Sequence, residues 1–188
     1  MSTSNFNEQQ YEEALVIYKK AVAVLRTHYG MNSLIVARGL DKIGLSASLC
    51  ATPTNLDWAY IALKEALSIR ICYLGPHHCD CADTLNNIAG VFMQKEDYET
   101  ALGIYLDVLT IRAAIFGKNH PSIAITASTL GKVYHHLSDL DNALIHYNLA
   151  VAIYKGEPMN LKASHPLVSK VFKQISAIER LMVLLEEK

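Results

Sequence analysis

The sequence predicts an all-α solenoid of about eight antiparallel helices, alternating long and short. Three observations carry this. An alanine-centred pattern recurs at nearly constant spacing, each copy has the periodicity of a helix face, and no stretch alternates apolar and polar residues as a half-buried strand would. Ala14, Ala59, Ala101 and Ala143 stand 45, 42 and 42 residues apart. Each is followed at +4 and +7 by a large and then a smaller residue: Tyr18/Ala21, Leu63/Ala66, Tyr105/Val108 and Tyr147/Ala150. Positions i, i+4 and i+7 share one helical face, so every copy presents a small–large–small stripe. Small residues on such a stripe let a neighbouring helix come close.

The first long helix is expected near 8–29 and the others near 56–74, 98–116 and 140–155. Gly30, Gly75 and Gly117 close three of them, where a left-handed backbone is cheap only for glycine. Short helices are expected near 33–49, 79–95 and 121–137, with a terminal one near 165–186. They carry the large–small pairs Ile43–Gly44, Ile88–Ala89 and Leu130–Gly131. The extra three residues of the first spacing fall in the loop-like stretch "CATPTN" (50–55), and "KGEPMNLKA" (155–163) is the other irregular stretch. Nothing resembles a domain linker, so residues 1–188 read as a single array.

Composition excludes several classes. Hydrophobic residues make up 51% of 188 and charged residues 19%, enough for a core and against global disorder. A net charge of −1 gives no basic field for nucleic acid. No apolar run approaches the roughly 20 residues a spanning helix needs, so membrane insertion is not expected. No secretory leader is legible, and four cysteines do not form a disulfide framework, so a cytoplasmic location is expected.

One stretch invites a metal reading: "GPHHCDCADTLNN" (75–87) holds His77, His78, Cys79, Asp80 and Cys81 in a row. Its slot argues otherwise. Cys79 stands where Pro121 stands in the next repeat, at the first turn of a short helix, where proline is favoured. Cys81 aligns with Ile123, an expected core position. On a helix, Cys79 and Cys81 point apart and cannot chelate one ion, although Cys72, one turn before Gly75, could approach. We expect no metal and no cofactor. No phosphate-binding loop, metalloprotease motif or nucleophile elbow is present, so no enzyme is expected. The ten tyrosines fall mostly on repeat positions and read as core.

A large–small–x–x–aromatic helix, followed twelve residues later by Ala–x3–Tyr–x2–Ala, resembles the tetratricopeptide repeat. The period of 42, with "LGPHHCDCADTLNNIA", "FGKNHPSIAITASTLG" and "SHPLVSKVFKQIS" after the long helices, is similar to the kinesin light chain repeat family. The resemblance covers residues 11 to about 180. It implies a right-handed superhelix with the short helices lining its concave groove, and a scaffold that binds a protein or an extended peptide there.

Carried over by position, the groove residues are Arg38, Asp41, Lys42 and Leu45, then Asp83, Asn86, Asn87 and Gly90. Ser128, Thr129, Lys132 and His135 follow, and Lys170, Lys173 and Gln174 on the last helix. Asparagine offers donors and an acceptor to a peptide main chain whatever its sequence. An acidic peptide is expected to prefer the lysine-bearing C-terminal half. The alternative is a structural subunit held in a larger assembly by its helical ends. The first helix has apolar residues on more than one face, and Ile175, Ile178, Leu181, Met182 and Leu185 have no following long helix. At least one end is therefore expected to be buried against another chain, most simply as a two-fold homodimer.

Overall fold

The computed structural model describes residues 3–50 and 52–186. Among these there are eight α-helices and no strand. The helices are α1 (Thr3–Tyr29), α2 (Leu34–Leu49), α3 (Pro53–Leu74), α4 (Cys79–Gln94), α5 (Tyr98–Phe116), α6 (Pro121–His136), α7 (Leu140–Lys155) and α8 (Pro166–Glu186). Two boundaries differ from the sequence expectation. Helix α1 begins at Thr3 rather than near 8. Helix α3 takes in half of the stretch read as a loop, because the Thr52 hydroxyl accepts from the Asn55 N–H and Pro53 occupies the first helical position.

The ends of the helices follow from the repeat. Gly30, Gly75 and Gly117 have φ of 84°, 82° and 82° and stop α1, α3 and α5. The short helices α4, α6 and α8 share an unusual cap. The Nδ1 atoms of His78, His120 and His165 accept the N–H of the second helical residue, Asp80, Ser122 and Leu167, at 3.1, 3.2 and 3.3 Å. Each imidazole satisfies an amide that the helix itself leaves unpaired. This requires the neutral ring with its proton on Nε2. In α2 the same position is Ser33, whose hydroxyl accepts from the Val36 N–H.

The chain forms two compact units, Met1–Asp97 and Tyr98–Lys188. In the first, α1 packs on α2, α2 on α3, α3 on α4, and α4 also touches α2. In the second, α5 packs on α6, α6 on α7 and α7 on α8. The alanine register reads directly as burial: Ala59, Leu63, Ala66, Ala101, Tyr105, Val108, Ala143, Tyr147 and Ala150 are all at most 4% exposed. In α2 and α6 the small residue makes room for the large one. A β-carbon on Gly44 would collide with the Leu63 side chain, and one on Gly131 would lie 2.8 Å from the Tyr147 ring. Close packing of this kind leaves no slack for added volume.

A polar rung crosses from long to short helix in two repeats. Arg70, 6% exposed, donates to the Thr84 hydroxyl and, at 3.1 Å, to the Asp80 carbonyl. Arg112, 9% exposed, donates to the Thr126 hydroxyl at 2.8 Å. Both pairs are 42 residues apart. In the last repeat the equivalent positions are Tyr154 and Val171, both buried and uncharged.

Candidate binding surface

Arg38, Asp41 and Lys42 lie on α2, and Asp83, Asn86 and Asn87 on α4. Ser128, Lys132 and His135 lie on α6, and Lys173 on α8. Four of these converge. A depression of about 250 Å³ in the first unit is lined by Arg38, Asp41, Lys42, Leu45, Arg70 and Asn87. Asp83 is exposed and Asn86 half-buried, and neither lines it.

The charges in this depression are not equivalent. Asp41 is engaged by Arg70, with Oδ2 2.5 Å from the guanidinium, and its Oδ1 accepts from Thr84 at 3.4 Å. Burial pushes the Asp41 carboxyl above its ordinary value, and Arg70 and Thr84 pull it only part of the way back. Asp41 is therefore a packing residue at the floor, with its charge already answered. Arg38 and Lys42 are exposed on the rim and form no ion pair among the described residues. No hydrogen bond to the half-buried Asn87 amide is formed among the described residues.

In the second unit the expected residues are more dispersed. Lys132 is half-buried, and desolvation, followed by the charge of Lys170, holds its ammonium below the ordinary value. His135 and Ser128 are half-buried on the same helix. Lys173 lines a separate depression of about 390 Å³ with Phe172, Ser176 and Arg180.

The histidine–cysteine stretch groups differently from the pairing weighed on sequence. Side-chain atoms of His78, Cys79 and Asp80 lie within 4.8 Å of one another. Cys81 is buried, with its thiol directed at the Gly75 carbonyl at 3.3 Å, and Cys72 is exposed. The Nδ1 of His78 that faces this trio is the atom that caps α4, and His120 and His165 make the same cap beside prolines. A metal there would displace the cap. Burial and the neighbouring Asp80 push the Cys79 thiol up, which disfavours the thiolate needed for ligation or nucleophilic attack.

Arg70, Thr84, Arg112 and Thr126 do not stand out from the alanine register. Their signal is a polar pair repeated at the same 42-residue spacing on stripes that are otherwise apolar.

Residues 80–156 match the family model of the tetratricopeptide repeat. The chain is similar to tetratricopeptide repeats over that stretch. Its fold is that of the nearly identical repeats of a kinesin light chain from Podosopora anserina, with a TM-score of 0.77 at 16% identity, covering 98% of this chain and 85% of that one. BtubC (BKLC) from P. vanneervenii follows with a TM-score of 0.61 at 18% identity, over 96% and 84% of the two chains. MamA gives 0.53 at 17% identity, over 97% and 98%. Among curated proteins, a clustered mitochondria protein homolog of Vanderwaltozyma polyspora is 19% identical over 170 residues, 90% of this chain. The chain spans 13% of that protein's length. The tetratricopeptide fold is generally a protein–protein interaction scaffold, and no helix among the described residues is long and apolar enough to cross a membrane.

Proposed function

We propose that this chain is a non-catalytic scaffold that holds an extended peptide across α2 and α4. The observation that supports this is the convergence of Arg38, Lys42, Leu45 and Asn87 on one depression whose only carboxylate is already paired. Asn87 has a side chain suited to the main chain of a peptide of any sequence. Arg38 and Lys42 add a net positive rim over a floor that Asp41 and Arg70 leave neutral. An acidic segment is the favoured occupant, and its binding weakens with salt because the cations are exposed. Leu45, exposed at 44%, supplies an apolar contact between them.

The test uses fluorescein-labelled dodecapeptide pools of acidic, neutral and basic composition, read by polarisation. The acidic pool should bind most tightly. Arg38→Glu with Lys42→Glu should weaken it at least tenfold, and Asn87→Ala should weaken every bound pool regardless of charge. If no pool binds, or if bound pools are indifferent to all three substitutions, the groove reading is wrong.

A further inference from the structure

The stripe at +0, +4, +7 and +10 from the repeat alanine is buried in three of the four long helices. Ile69, Ile111 and Ile153 complete it in α3, α5 and α7, at 4%, 8% and 5% exposure. In α1 the same stripe is Ala14, Tyr18, Ala21 and Val24. There Ala14 and Tyr18 are only half-buried, Ala21 is exposed, and Val24 is 58% exposed. Ile17, beside Tyr18, is 65% exposed. The adjoining face of α1 does pack, through Leu15 and Val22, at 6% and 3%. Among the described residues, helix α1 thus displays a knob stripe that is only partly covered.

Helix α8 displays the converse. The small residue that receives a knob stands eleven positions after the cap in every short helix: Gly44 after Ser33, Ala89 after His78, Gly131 after His120 and Ser176 after His165. Gly44 and Gly131 are buried under Leu63 and Tyr147. Ser176 is exposed. It borders two depressions, one of about 390 Å³ with Phe172 and another of about 570 Å³ with Val183 and Leu184. Phe172, Val183 and Leu184 are 36%, 53% and 57% exposed. Ile175 and Ile178, expected from the sequence to be uncovered, are instead buried at 6% and 0%, within the core formed with α7. The open face of α8 is therefore the one carrying Ser176.

We propose that these faces are the two halves of one contact: α1 of one copy docks on α8 of a second copy as α7 docks on α6, with Tyr18 over Ser176. The template is the Tyr147–Gly131 seat within the chain itself, and the occupant is the helix that carries the same stripe uncovered. Such a contact joins two different patches, α1 and α8, so each of two copies keeps one free half after the first contact forms. A like-with-like dimer, the expectation from the sequence, is the alternative that the experiment separates from it. Ser176 has a β-carbon where Gly131 has none, so the docked helix sits farther out, and the contact falls in the small, weak class of interfaces below about 1,200 Å².

Sedimentation equilibrium of the 188-residue chain across a wide concentration range tests this, with two variants on exposed positions, Val24→Lys and Ser176→Arg. The wild type should gain mass with concentration. Each variant alone should associate at least tenfold more weakly, with unchanged helicity and melting temperature. Mixed in equal amounts, the variants should form a dimer and nothing larger, because each supplies the half that the other lacks. A wild type that stays monomeric overturns the proposal. So does a dimer abolished by one substitution and unaffected by the other, which is the signature of a like-with-like contact.

Discussion

Gly103 and Gly131 both lie inside helices, yet replacing each by alanine should move stability in opposite directions. Alanine gains about 1 kcal/mol over glycine in a helix interior, because it restricts the unfolded backbone more. At Gly103, in α5, the new β-carbon meets nothing within 4 Å, so the full gain should appear. At Gly131, in α6, the β-carbon would lie 2.8–2.9 Å from three atoms of the Tyr147 ring. Tyr147 is fully buried, so its ring cannot swing into solvent. Overpacking of this kind costs about 1–3 kcal/mol. The propensity gain is common to both variants, so the difference between them isolates the steric cost. In a chain of this size each kcal/mol moves the melting temperature by about 2–4 °C. Gly103→Ala should therefore melt a few degrees higher than the parent, and Gly131→Ala below Gly103→Ala. The assay is urea unfolding followed by circular dichroism. In a Tyr147→Ala background the Gly131→Ala penalty should vanish, because the two sites are coupled only through the ring. If Gly131→Ala proves as stabilising as Gly103→Ala, the Tyr147 ring does not rest on Gly131 and the helix register is wrong.

Asp41→Ala should cost about 3 kcal/mol by leaving the Arg70 guanidinium buried and uncompensated, whereas Asp41→Leu combined with Arg70→Met should recover most of that loss; denaturant midpoints compare the two. His146 is buried enough to hold its imidazole below the ordinary value, and it stacks on Tyr134 at 5.2 Å. The unfolded chain takes up this proton near pH 6.5 and the native one at a lower pH, so stability should fall as pH drops through that window; the difference between wild type and His146→Phe isolates the effect. His120→Ala should lose about 1 kcal/mol by opening the α6 cap, and His120→Asn should restore most of it, as read by thermal melts.

The fold was legible because its main constraint is periodic. Alanines at 45, 42 and 42 residues fix which face of each long helix meets a neighbour, and the burial of Tyr105 and Tyr147 follows from that register. The Thr52–Pro53 start of α3 was obscured because residues 50–55 read as loop-like, whereas proline at the first helical position starts a helix. The binding surface was only half legible. Register places Asp41 beside Lys42 on the short helix, but whether a carboxylate there meets solvent or a guanidinium depends on Arg70, a residue 29 positions later on another helix. Likewise the sequence shows His78 beside Cys79 and Asp80, and it takes the backbone geometry of the cap to commit the Nδ1 lone pair to an amide.

The rungs from Arg70 to Thr84 and from Arg112 to Thr126 set a rule for recombination. Each links a long helix to the short helix after it, and the last repeat answers the same need with Tyr154 and Val171. A chimera cut between a long helix and its following short helix would set Arg112 against Val171, stranding a guanidinium in an apolar seam. A chimera cut after the short helix keeps each pair intact. The exchangeable module is therefore long-then-short, offset by one helix from the short-then-long order in which such repeats are usually counted, and repeat shuffling or consensus redesign of this chain should splice at the turns before Tyr98 and Leu140.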